Sequence, residues 1–130
     1  MSRIDVLGVE FDSLTKEEAV KYALQIISQR QGGYMVTPNP EIVMATWTNP
    51  ELKAAVDNAA LTIPDGIGII HAANILKTPM KERVPGIDVT ASLLECMARD
   101  GKSVFLLGAK PGIAEKAAEQ GILQQYKNTL

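Results

Sequence analysis

A chain of 130 residues is long enough for one ordinary domain with a single core and short for two. With 46% hydrophobic and 22% charged residues, it has the composition of a globular chain and not of a disordered or fibrous one. The net charge of −2 comes from 13 basic residues scattered among 15 acidic ones, which gives no basis for nucleic-acid binding, and a single cysteine excludes a disulfide framework or a cysteine metal cluster within the chain.

The first residues, MSRIDVLGVEFDSLTKEE, have no apolar stretch behind a basic start, so no signal peptide is expected. No window reaches the roughly 18 to 20 uninterrupted apolar residues that cross a bilayer. The expectation is a soluble, cytoplasmic chain whose membrane contact, if any, is peripheral.

IDVLGVEFD alternates as a strand or short hairpin with Gly8 at a bend. SLTKEEAVKYALQIISQRQGG reads as a helix. Thr15 and Glu18 make a capping box, Val20, Ala23, Leu24 and Ile27 recur at helical spacing, and Gly32-Gly33 ends it. YMVT is a short buried strand running into PNPE, where two prolines flank Asn39 in a rigid turn. Residues 41 to 48 read as helical, and Pro50 opens a further helix to about Asn58, because its missing N–H is not needed in the first turn.

ALTIP is the next short strand and delivers the chain to Asp65. GIGIIHAANIL is apolar on nearly every side and fits a buried helix or another strand; its length and alanines favour helix. His71, the only histidine, reads within this run as a core or interface residue and not as a base. After the loop KTPMKERVPG, a helix from about Ile87 to Arg99 puts Ile87, Ala91, Leu94 and Ala98 on one stripe, and Cys96 reads as a buried thiol. SVFLLG is the clearest strand in the chain, and AKPGIAEKAAEQGILQQY the clearest final helix, with Pro111 in its first turn. QQYKNTL stops where the alternation calls for another strand, so the domain is expected to be shortened or completed by a partner.

Strands alternating with helices point to an α/β fold over a single domain, 1–130, with a mostly parallel sheet flanked by helices, because crossover helices are what join parallel strands. Ligands of such sheets gather beyond the carboxyl ends of the strands. Here those ends are VTPNPE, IPDGIG and LLGAKPG, and with the strands as neighbours Thr37, Asn39, Asp65 and Lys110 would surround one cleft.

Each loop has a plain reading beside a chemical one. GAKPG, a glycine-bearing turn into a helix N-terminus with Lys110, is suited to phosphate, yet it lacks the G-x-G-x-x-G and Walker spacings. In TPNPE the Thr37 hydroxyl and Asn39 amide can hold sugar hydroxyls, but both are also ordinary helix caps, and capping is the stronger reading from the residues alone. Arg83 in ERVPG is matched to phosphate oxygens, though a solvated loop arginine is the commoner case. No G-x-S-x-G elbow presents a serine nucleophile.

Taken in order, TPNPEIVMATWTNPELKAAVDNAALTIPDGIGII, KERVPGIDV and SVFLLGAKPGIAEKAAE closely resemble the WecG/TagA/CpsF family of bacterial glycosyltransferases, over about Val36 to Glu119. The resemblance implies a Rossmann-like α/β enzyme at the cytoplasmic face of the membrane. It would move N-acetylmannosamine or a related sugar from a UDP donor to N-acetylglucosamine on undecaprenyl diphosphate, with inversion, for teichoic acid or similar polymers. By the same resemblance, Asp65 of PDG is the general base, Thr37 and Asn39 belong to the polar active-site loop, and Arg83 stabilises charge on the departing diphosphate. Gly108, Lys110 and Gly112 fall on the donor side.

No D-x-D motif occurs, so neither a metal nor another cofactor is expected beside the UDP-sugar. Family members run on with a further nucleotide segment and a basic appendage that contacts membrane. The chain is therefore expected to carry the base, to lack part of the UDP site, to show little activity alone and to favour a homo-oligomer through an exposed apolar edge. A non-catalytic subunit of this fold, or a Rossmann-like nucleotide-binding module unrelated to sugars, remains compatible with the residues.

Overall fold

The computed structural model describes residues 2–119 and divides at the Val89–Thr90 link into two compact units. Among the described residues there are two two-stranded sheets, one antiparallel and one parallel, and six helices, so the composition is α/β. No helix of the described residues is long and apolar enough to cross a membrane.

The first unit opens with an antiparallel hairpin, β1 (Ser2–Val6) and β2 (Val9–Ser13), paired from Ser2↔Ser13 to Val6↔Val9. Its two turn residues, Leu7 and Gly8, have φ of 53° and 97°, the pair of positive values that a type I′ turn requires. Asp5 Oδ1 accepts from the Gly8 N–H at 3.0 Å and closes the turn. Helix α1 (Lys16–Ser28) then starts on the expected capping box: the Glu18 N–H donates to Thr15 Oγ1 at 3.1 Å, and the Thr15 N–H to Glu18 Oε1 at 3.3 Å.

The helix ends before Gly32-Gly33. Arg30, with φ 53°, takes the left-handed position, and the N–H groups of Arg30 and Gln31 donate to the carbonyls of Ile27 and Ile26, both at 3.1 Å. That is a Schellman closure with arginine where glycine is usual, because the two bonds satisfy carbonyls that the helix end would otherwise leave open.

β3 (Met35–Val36) and β4 (Leu61–Thr62) are parallel neighbours, in register Met35↔Leu61 and Val36↔Thr62. Bonds from Ala60 N–H to the Tyr34 carbonyl and from Ile63 N–H to the Val36 carbonyl, at 2.8 and 2.9 Å, lengthen the ladder by one residue at each end. The crossover between them is helical, α2 (Pro40–Ala45) and α3 (Pro50–Asp57). Each starts the same way: Asn39 and Asn49 are N-caps whose side chains accept from Ile42 and Leu52 N–H at 2.9 and 3.0 Å, with proline next in line. α2 is shorter than the expected 41–48, running from Pro40 to Ala45. The apolar run after Asp65 is helix α4 (Ile67–Ile75), and Gly86–Arg99 forms α5.

Because side chains alternate along a strand, the parallel pair sorts the core onto two faces. Leu61 and Ile63 pack with Leu14, Ala19, Val84 and Val89, and Met35 joins them. Val36 lies against the other cluster, built from Val6, Val9, Phe11, Val43, Val56, Ile69 and Ala73. The hairpin is tied to β4 by a side chain in place of a ladder, since buried Asp12 accepts the Thr62 N–H on Oδ2 at 2.9 Å.

In α5 the expected stripe holds for Leu94 and Ala98, which are buried, but Ile87 is 78% exposed and Val89 is buried instead. Cys96 is half-buried. The second unit holds the rest of α5 and the short α6 (Ile113–Ala117). SVFLLG forms no strand among the described residues: Phe105 and Leu107 are 86% and 91% exposed. An apolar run becomes a strand only where a neighbour supplies a ladder, and no described residue does so here. Pro111 precedes α6, whose N-cap is Gly112 at φ 87°. The part of the expected final helix beyond Glu119 lies outside the described residues.

Candidate active site

The parallel pairing of β3 and β4 sets their carboxyl ends side by side, so the two loops that leave them meet. From β4 the chain turns tightly about Pro64, with Asp65 N–H donating to the Ile63 carbonyl at 2.9 Å. Close packing then requires glycine at position 68, where a Cβ would lie 2.7 Å from Pro40 Cγ, while a Cβ on Gly66 would make ordinary contact with Pro40 Cδ at 3.7 Å. The start of α4 is thereby seated on the start of α2, and Asp65 on the loop of Thr37 and Asn39.

Asp65 is half-buried and held at two points. Its carbonyl accepts from Arg83 Nε at 2.9 Å, and its Oδ2 accepts from Gly86 N–H at 3.0 Å. Oδ1 has no hydrogen bond among the described residues. The segment that brings Arg83 is fixed in turn to the start of α1. Lys81 N–H donates to Ser13 Oγ at 3.0 Å, Lys81 Nζ pairs with Glu18 Oε1 at 2.9 Å, and Lys16 N–H donates to Glu82 Oε1 at 2.6 Å. The Lys81 bond lowers the Glu18 pKa from its ordinary value; desolvation opposes it, and the Thr15 N–H adds to the lowering.

Of the residues expected at the site, Thr37, Asn39, Asp65 and Arg83 come together in the first unit. Thr37 is exposed, and its methyl Cγ2 lies 2.9 Å from the place a Cβ would take on Gly86. Asn39 uses Oδ1 as the helix cap, which leaves Nδ2 for other partners. Arg83 is exposed, and with Nε spent on the Asp65 carbonyl its two terminal nitrogens carry no hydrogen bond among the described residues. Gly108, Lys110 and Gly112 lie in the second unit, exposed, in a loop that no strand delivers; Gly108 and Gly112 have positive φ, 118° and 87°. His71 is exposed on α4 and not in the core.

In the sequence, the Pro-Gly step at the head of α5 is the only sign of Gly86. Away from these loops, a concavity of about 430 Å³ is lined by Arg3, Asp5, Gly8, Glu10, Lys53 and Asp57. Its cations are already paired, Arg3 with Glu10 and Asp12 at 3.2 and 3.4 Å and Lys53 with Asp57 at 2.7 Å. The loops around Asp65 thus offer a different chemistry: a carboxylate oriented through one oxygen and open at the other, beside a guanidinium with unspent donors. Such a pair can take a proton from a hydroxyl and meet negative charge on a neighbouring group.

The family model described as "Glycosyl transferase WecG/TagA/CpsF family" matches residues 4–129. The N-acetylglucosaminyldiphosphoundecaprenol N-acetyl-beta-D-mannosaminyltransferases of Staphylococcus aureus strains NCTC 8325 / PS 47 and COL are each 32% identical to this chain over 129 residues, covering 98% of it. The match takes in 50% of each of those proteins, so the chain spans about half the length of the curated relatives it matches. With the match running over nearly every residue, including those around Asp65, the chain belongs to the WecG/TagA/CpsF family of glycosyl transferases.

Proposed function

We propose that the whole protein transfers N-acetylmannosamine, or a closely related sugar, from a UDP donor to an N-acetylglucosamine carried on undecaprenyl diphosphate. The names of the Staphylococcus aureus relatives support the sugar and the acceptor. The observation that carries the chemistry is the Asp65 carboxylate, fixed by Gly86 N–H at 3.0 Å on Oδ2 and open at Oδ1.

In this reading the acceptor hydroxyl gives its proton to Asp65 Oδ1 as its oxygen attacks the anomeric carbon. The bond from that carbon to the UDP oxygen breaks, UDP leaves with the electron pair, and attack from the opposite face inverts the centre. Arg83, whose Nε is anchored on the Asp65 carbonyl, turns its free donors to the departing diphosphate. Thr37 and the Asn39 Nδ2 hold sugar hydroxyls, and Gly108, Lys110 and Gly112 serve the donor phosphates. No metal is part of this scheme.

The whole protein would then be a Rossmann-like enzyme that works peripherally at the inner face of the cell membrane and self-associates, with the product entering teichoic acid or a related surface polymer. The test is Asp65→Asn in the whole protein. UDP release from UDP-N-acetylmannosamine with a short-chain lipid-linked acceptor is expected to fall by at least about 10²-fold, the scale of a lost general base, with donor binding and thermal stability near those of the unsubstituted protein. Turnover close to the unsubstituted rate would remove Asp65 from the role.

A further inference from the structure

The most constrained point of the site is a residue with no side chain. Gly86 donates its N–H to Asp65 Oδ2 at 3.0 Å. On its other side, a Cβ would stand 2.9 Å from Thr37 Cγ2 and 3.4 Å from Asp65 Oδ2. The first distance is too short for two carbon atoms, and the second is at the edge of ordinary contact. Gly86 lies at the first position of α5, and Asp88 and Val89 N–H both donate to the Pro85 carbonyl, so the backbone there has little freedom to withdraw.

We infer that Gly86 is a positioning residue of the transfer reaction: its N–H orients the Asp65 carboxylate, and its missing Cβ lets the Thr37 methyl and that carboxylate close on the same point. This rests on Asp65 being the base. A methyl group at position 86 has two ways out. Thr37 can rotate about χ1, which carries its hydroxyl away from the site, or the Gly86 N–H and Asp65 Oδ2 can separate, which releases the carboxylate. Either motion displaces a group that acts on substrate, and displacements of about 1 Å in such groups cost on the order of 10²-fold in rate. A serine at position 37 keeps the hydroxyl and removes Cγ2, so it opens the space that the new methyl needs.

The experiment is a double-mutant cycle in the whole protein, with kcat and KM for the UDP-sugar measured for Gly86→Ala, Thr37→Ser and the two combined. Gly86→Ala is expected to lower kcat by roughly 10- to 10²-fold with donor KM little changed. Added to Thr37→Ser, the same change is expected to cost only a few-fold relative to Thr37→Ser alone. An alanine variant with normal kcat, or equal losses in the two backgrounds, would overturn the inference while leaving Asp65 as base. An active Asp65→Asn protein would instead remove the base, and this inference with it. The Gly86 amide proton resonance supplies a reading that does not require the alanine variant to fold: it is expected to move upfield in Asp65→Asn, and an unmoved resonance counts against the bond on which the inference stands.

Discussion

Thr62 concentrates the molecule's residue-scale logic. Its N–H is taken by the buried Asp12 carboxylate, while its Oγ1 is the one buried side-chain oxygen without a partner among the described residues. A hydroxyl withdrawn from water and left unbonded costs free energy, and a methyl of the same shape does not. Thr62→Val is therefore expected to raise unfolding stability by about 1 kcal/mol, read as a higher denaturant midpoint at an unchanged slope; a lower midpoint would refute this account of the hydroxyl. Asp12 itself was not legible as a buried group. An acidic residue in a strand reads as the solvated face, and its partner stands 50 residues on. Asp65 was legible as a carboxylate held in a turn by Pro64 and Gly66, and the family resemblance supplied its role. Gly86 escaped notice because its meaning lies in contacts with Thr37 and Asp65, which the local sequence around it does not contain.

At the scale of elements, the features that were read correctly are those closed within a few residues. The Thr15 and Glu18 capping box, the Leu7-Gly8 turn and the helical character of residues 67–75 all depend on short spacings. The α1 start has a further duty, because Glu18 also receives Lys81 from the loop that carries Arg83. Glu18 binds its proton at lower pH in the folded chain than the 4.5 ordinary for its carboxyl group. Its contribution to stability is thus complete above that value and is lost as pH falls through the lower, folded value. Glu18→Gln is expected to flatten the acid side of the stability curve below about pH 4.5 while reducing the lysine ion pair to an uncharged acceptor at neutral pH; an acid limb of unchanged slope would show that this carboxylate is not linked to folding. The end of α1 was misjudged because the Schellman closure can be made by arginine as well as by glycine, at a conformational cost that two hydrogen bonds offset. SVFLLG was misjudged because strand propensity is a preference of side chains for a pleated surface, and the surface must exist.

At the scale of the molecule, stability in the first unit centres on the short parallel pair, which separates two apolar clusters and contacts both. Thr62 and Ile63, buried at 0% and 1% exposure, donate to Asp12 and to Val36 respectively, so neither amide can meet water without parting a core face from the sheet. Hydrogen exchange is expected to be slowest at these two amides and to follow global unfolding of the unit, whereas amides of 103–107 exchange orders of magnitude faster. Fast exchange at Thr62 and Ile63 would mean that the pair opens locally and is not the centre of the fold. The same pair is what places the candidate site, since its register sets Thr37 beside the turn that carries Asp65.

The amino-acid sequence by itself determined the helices that start on Thr15, Asn39 and Asn49, the hairpin around Gly8, the α/β alternation and the presence of a turn-held carboxylate at Asp65. Each follows from side chains that act on backbone within one or two turns, where spacing along the chain is spacing in space. Only the tertiary structure decided that Asp12 would stand in for a strand beside β4, that Gly86 would hold one oxygen of Asp65, and that Phe105 and Leu107 would lie exposed. Those outcomes depend on which distant segments come into contact, and a side chain's local preference cannot say whether a partner for it will be there.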